Sequence, residues 1–210
     1  MSITDETISD IVAYWLGPAL DGPEVAYARR DWWYKGPPSA DTEIRSRFGD
    51  YVARACTGGL EDWRATPEGT FALILLLDQF TRNIYRNTPD AYLGDNRAFE
   101  IMREAMERGQ DQDLHLVTRI WYYHPFHHAE DIVEQDRGIE TLNALLAASP
   151  EPWHRYIRRS IKGWTRHRNI IARFGRFPHR NEVLGRENSD EERAFLNADG
   201  EAFGQGPKPG

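Results

Sequence analysis

The sequence predicts an all-α fold, and three observations carry that expectation. Apolar residues recur three and four positions apart in one window after another, the period of a helix with one buried face. No window alternates apolar and polar residues as a half-buried strand does. Gly and Pro fall between the periodic windows, where they stop helices and start turns. Seven or eight helices of roughly 12 to 22 residues, joined by short connections, would pack as antiparallel neighbours.

Taken in order, residues 4–16 place Ile8, Ile11, Val12, Trp15 and Leu16 on one face, with Thr4 as N-cap and Gly17-Pro18 as the stop. A Gly/Pro-rich stretch follows, containing the aromatic cluster Trp32-Trp33-Tyr34. Residues 41–57 align Ile44, Phe48, Tyr51, Val52 and Ala55 and end at Gly58-Gly59. Thr66-Pro67-Glu68 starts the next helix, since Pro fits a first helical turn. That helix, running through FALILLLDQFTRNIY, is apolar on all sides in its first half and is expected at the centre of the fold.

Residues 95–108 form a shorter helix, and Leu114, Val117, Ile120 and Trp121 continue the pattern until Pro125 interrupts it. Residues 128–147 carry Ile132, Ile139, Leu142, Leu145 and Leu146. A long basic helix from Pro152 to Phe174 has Trp153, Ile157, Ile161, Trp164, His167, Ile171 and Phe174 as its inward seam. Ser189-Asp-Glu-Glu192 reads as a capping box opening a last helix. One domain is expected over 1–204, with 205–210 as a flexible tail.

Composition narrows the function. The chain has 210 residues, and its 17 glycines bring the 40% hydrophobic share to about 48%, the usual proportion for a packed domain. The single Cys56 leaves no internal disulfide, and the start, MSITDE, does not read as a signal peptide. The longest apolar run, Phe71 to Leu77, is too short to span a bilayer. A cytoplasmic protein without membrane contact is therefore expected. The net charge of −7 makes a nucleic-acid partner a poor expectation. It also hides a division: Pro152–Arg186 holds ten Lys and Arg against Glu182, or +9, which leaves −16 for the remainder.

Three polar clusters interrupt the helical pattern. In Asp78-Gln79-Phe80-Thr81-Arg82-Asn83, the spacing puts Asp78 with Arg82 and Gln79 with Asn83 on shared helix faces. This is either a ligand site or an internal Asp78–Arg82 ion pair. In His124-Pro125-Phe126-His127-His128-Ala129-Glu130-Asp131, three His and two acids could supply an acid–base pair or metal ligands. No HExxH occurs, however, and Pro125 should break a helical His124/His128 pair, so no metal ligands are assigned. The plainer reading is a loop of exposed His before a helix whose dipole could depress His128. In Arg173-Phe174-Gly175-Arg176-Phe177-Pro178-His179-Arg180-Asn181, three guanidiniums and an imidazole make either an anion cradle or a solvated basic loop. His167 lies on an apolar seam and is expected to be buried, while Arg155, Arg159, Lys162 and Arg166 read as an outward solvated stripe.

The blocks LLLDQFTRNIYR, YHPFHHAED and HRNIIARFGRFPHRNEVLGR, with YWLG at Tyr14–Gly17 and the Trp32-Trp33 region, resemble those of a bacterial family of unknown function, DUF924. The resemblance spans about residues 10 to 204. It implies a fold of the tetratricopeptide-like superfamily, with antiparallel helical hairpins stacked into a curved array. Thr81, His127 and Ala129 stand where the family's blocks usually carry Pro, Glu and Ser. The resemblance leaves both reaction and cofactor open.

Three functional classes follow, and the −16 elsewhere argues against the one in which the +9 segment binds nucleic acid. In one of the remaining two, an enzyme pocket for a small anionic ligand uses Asp78, His128, Glu130, His167 and His179 as acid–base or metal-binding groups. Arg82, Asn83, Arg173, Arg176, Arg180 and Asn181 then hold the ligand, and Asp78, His128, His167 and Arg176 should meet around one cavity. In the other, the chain is an interaction module whose basic groove grips acidic peptides or carboxylates.

Overall fold

A computed structural model describes residues 3–198, and every regular element among them is helical. Helix α1 (Ile3–Leu16) buries Ile8, Ile11, Trp15 and Leu16 as its periodicity requires. It stops at Gly17, whose φ of 52° suits a residue without Cβ and leaves room for the Arg29 guanidinium. Next comes an element the hydrophobic pattern did not reveal, α2 (Pro23–Lys35). Only Ala26 of α2 is fully buried, and Trp32 and Trp33 are half-buried, so the helix has no continuous apolar stripe to read. Helix α3 (Pro38–Cys56) buries Ile44, Phe48, Val52 and Ala55.

Helix α4 (Pro67–Ile74) starts where expected, with the Thr66 hydroxyl accepting the Gly69 N–H at 3.1 Å. Every residue from Gly69 to Thr81 is buried, and α4 packs against α1, α6 and α7, so this stretch is central as predicted. It is not one regular helix. Leu75–Phe80 widens into a π-helical turn before α5 (Thr81–Ile84). The Thr81 hydroxyl donates to the Leu77 carbonyl at 2.8 Å, and Arg82 Nη1 donates to the Asp78 carbonyl at 2.6 Å. A Pro at position 81 has no hydroxyl and could not make this bond to the Leu77 carbonyl.

Helices α6 (Asp95–Glu107), α7 (Leu116–Tyr122) and α8 (His124–His128) complete the middle of the chain. Pro125 does not break a helical His124/His128 pair, because it sits in the first turn of α8, where no N–H is needed. Nor does His128 open the following helix. Asp131 caps α9 (Ile132–Ala148), accepting the N–H groups of Val133 and Glu134 at 2.8 and 3.3 Å.

Helix α10 (His154–Phe174) runs antiparallel to α9, with Arg168 on Asp136 at one end of the pair and His154 on the Ser149 carbonyl at the other. Gly138 allows the close approach: a Cβ there would lie 2.7 Å from the Phe126 Cβ and 3.0 Å from the Trp164 ring. Ser189 and Glu192 form the expected capping box of α11 (Asp190–Asn197). The predicted domain end at 204 and the tail over 205–210 lie outside the described residues. No described helix is long and apolar enough to cross a membrane.

Candidate functional site

Helices α2, α7, α8 and α10 and the π turn surround a cavity of about 860 Å³. Five of the chain's seven Trp line it, Trp15, Trp32, Trp33, Trp121 and Trp164, together with Tyr34. Several indole faces are already covered by the protein. The His124 ring stacks on Trp121 at 4.1 Å, and His127 on Trp164 at 5.1 Å. These aromatics are therefore rigid walls first.

Four imidazoles reach the cavity: His124, His127 and His128 from α8, and His167 from α10. His128 Nδ1 donates to Asp78 Oδ1 at 2.7 Å, and Gln79 Nε2 donates to the other carboxylate oxygen at 2.5 Å. Asp78 is wholly buried at the π turn, below the cavity, while 14% of the His128 side chain stays accessible. With Nδ1 committed to the carboxylate, Nε2 is the nitrogen left for a ligand. His124 Nδ1 donates to the Ile120 carbonyl at 2.8 Å and His167 Nδ1 to the Gly163 carbonyl at 3.2 Å. The same tautomer is thus set in three rings.

Burial drives all four imidazoles towards neutrality, because a charged ring would lose its hydration. It lowers His124 to about 4 and takes His127, His128 and His167 well below the usual range. The neighbouring rings and Arg82 add to the effect at His127. His127 and His167 are only 3.7 Å apart between ring centres, so a proton on one disfavours a proton on the other.

The Asp78–Arg82 ion pair is present, with Arg82 Nη1 3.6 Å from Asp78, but the closer partner of Arg82 is Asp95, held by a bidentate contact at 2.7 and 2.9 Å. Burial opposes the Arg82 charge, but Asp95 and Asp78 outweigh it and hold the guanidinium above its ordinary value. Arg180 lies behind the same network. It donates to the His128 carbonyl at 3.1 Å and packs over the Tyr92 and Phe177 rings. Asn83 donates to Asp41 at 2.7 Å at the cavity wall, where Arg86 also binds that carboxylate.

Asp78, Arg82, Asn83, His128 and His167 are thus brought together, whereas the remaining candidates lie elsewhere. Glu130 accepts the Phe177 N–H at 2.8 Å and two bonds from Arg186 at 2.6 and 3.0 Å, fastening α8 to the segment after α10. Burial works to raise its carboxyl, but Arg186 and the Phe177 N–H hold it below the usual range. Arg173 and Arg176 face α11, bound to Glu191 and Glu192, so they do not join Arg180 in a cradle and Arg176 does not reach the cavity. His179 is largely buried against Phe177, and burial lowers it to about 3. Asn181 donates to Asn188 at 2.7 Å.

Other contributors escaped the sequence reading. Arg159 and Arg166 line the cavity rather than forming a purely solvated stripe, and Arg30 faces them from α2. Their signal was the spacing Arg159, Gly163, Arg166 on α10, one face of the helix beside Ser160, Trp164 and His167. His124 and His127, read as exposed loop residues, are 2% and 6% exposed. Among the described residues, no group of three or more His, Cys, Asp or Glu is placed to hold a metal ion.

Comparison with known families bears out the resemblance of the three blocks. The family described as "Bacterial protein of unknown function (DUF924)" matches residues 11–200. The chain belongs to that family. It is also similar to the solved structure of a protein of unknown function, ATU0120, from Agrobacterium tumefaciens. The two share 35% identity with a TM-score of 0.77, over 93% of this chain and 99% of the other. Comparison with curated proteins gives no match.

Proposed function

We propose that the cavity binds a small organic anion and that His128 serves as a general base acting on it or on a water beside it. The observation carrying this reading is the Asp78–His128 hydrogen bond at the wall of a cavity lined by six cations, Arg30, Lys35, Arg82, Arg86, Arg159 and Arg166, against two acids, Asp31 and Asp41. The bonded Asp78 fixes the ring orientation and stabilises the imidazolium formed when Nε2 takes a proton. In the empty cavity His128 is a weak base, because burial disfavours its charged form. A bound anion favours that form, so ligand binding strengthens the base. Arg180 and Arg82 act as positioning residues through the His128 carbonyl and the Asp78 carbonyl.

The test begins with native mass spectrometry of freshly purified protein, followed by turnover assays on any co-purified anion. His128→Gln should cut kcat by about two to four orders of magnitude, the usual contribution of a general base. Asp78→Asn should lower kcat more than it raises KM. Equal turnover in His128→Gln removes the catalytic role. Binding of acidic peptides, with no binding of small anions, replaces this reading with the interaction module.

A further inference from the structure

Within the cavity, the cations are not equivalent. Lys35 has Asp31 at 3.1 Å, Arg82 has Asp95 at 2.7 Å and Arg86 has Asp41 at 2.9 Å. Arg30 and Arg159 make no ion pair among the described residues. Arg30 Nη1 points to Ser160 Oγ at 3.4 Å, next in sequence to Arg159, and packs over the Tyr34 ring. Arg30, Tyr34, Arg159 and Ser160 all line the cavity, and the Arg30 contact with Ser160 places Arg30 beside the turn of α10 that carries Arg159. The wall there carries two positive charges that nothing in the described protein neutralises.

Gly163 lies on the same wall, one turn beyond Arg159 on α10. A mid-helix Gly costs about 0.5–1 kcal/mol relative to Ala. No packing explains its presence, because a Cβ at this position would meet nothing within 4 Å. Position 163 therefore leaves room along the helix beside the two unpaired guanidiniums.

We propose that Arg30 and Arg159, with the space over Gly163, form a subsite for the phosphate group of a phosphorylated small molecule. The inference rests on the cavity being the ligand site. Charge selects the ligand class: a phosphate monoester carries nearly two negative charges at neutral pH and matches two guanidiniums, whereas a carboxylate neutralises one. Each planar guanidinium can give two parallel N–H donors to phosphate oxygens.

Phenyl phosphate and benzoate are the probes, and quenching of the cavity tryptophans is the readout. Phenyl phosphate should bind more tightly than benzoate. Arg159→Gln and Arg30→Gln should each weaken phenyl phosphate about tenfold and benzoate less, consistent with loss of one charge-assisted contact. Arg159 is exposed and makes no ion pair among the described residues, so its removal should leave the fold intact. Gly163→Leu, whose Cβ meets no heavy atom within 4 Å, should block both probes.

Phenyl phosphate binding that survives both Arg substitutions, or a preference for benzoate, overturns the subsite. If Gly163→Leu still blocks binding in that case, the cavity remains the ligand site. Binding unchanged by Gly163→Leu, or no binding of either probe at millimolar concentration, overturns the subsite and the cavity reading together.

Discussion

At the residue scale, the site depends on where single protons sit. His128, His124 and His167 each give Nδ1–H to a fixed acceptor, so at neutral pH all three should show the Nδ1–H tautomer in 15N-resolved NMR. Asp78→Asn should disturb the His128 signal and leave His124 unchanged, since the Ile120 carbonyl is untouched. A doubly protonated His128 at neutral pH would contradict the burial described above. The residues themselves were legible: Asp78, His128, His167 and Arg82 stand out as polar groups attached to apolar runs. Their pairing was legible only in part. Helical spacing assigns Arg82 to Asp78, and the two lie 3.6 Å apart, but the closer partner Asp95 and the His128 partner of Asp78 are set by tertiary packing and carry no local signature.

At the scale of elements, glycines record where backbones touch. Gly94, just before α6, faces the π turn so closely that a Cβ would lie 2.2 Å from the Leu77 carbonyl oxygen. Gly94→Ala should therefore cost about 3 kcal/mol, the upper end for overpacking, and displace Asp95 from Arg82. Gly138→Ala should cost a similar amount at the contact of α9 with α8 and α10. Gly163→Ala should instead stabilise by about 0.5–1 kcal/mol. Urea unfolding of the three variants checks the order, and equal effects would refute the contacts assigned to them. Most helices were legible because their apolar faces meet a common core. Helix α2 was not, because its Trp32 and Trp33 face a cavity instead. The π turn is invisible to periodicity because all its residues are buried, which leaves no polar face to reveal the register.

At the scale of the whole molecule, much of the +9 segment is tied to the acidic remainder. Arg155 meets Glu24, Arg168 meets Asp136, Arg173 and Arg176 meet Glu191 and Glu192, and Arg186 meets Glu130. The charge division was legible, but whether each cation pairs internally or faces the cavity depends on tertiary packing. Acid should weaken this fold. Buried His124, His127, His128, His167 and His179 are held neutral, whereas their unfolded counterparts protonate near pH 6.5. The unfolded state then binds more protons, so stability falls as pH drops from about 6.5 towards about 4, by up to about 1.4 kcal/mol per pH unit for each His. Glu192, held near 2 chiefly by Arg176, gives stability that is present above about pH 4.3 and lost below it. Urea midpoints between pH 7 and 4 measure the first loss, and a flat profile would exclude it.

The π turn also sets how this chain tolerates changes in length. Deleting one residue within Leu75–Phe80 would let an ordinary α-helical turn replace the π turn; six π residues turn through about the same angle as five α residues, so the helix beyond would keep its facing and Arg82 would stay with Asp95. What the deletion removes is the local widening at Asp78, beside His128. A one-residue deletion here should therefore leave the fold standing and break the Asp78–His128 bond.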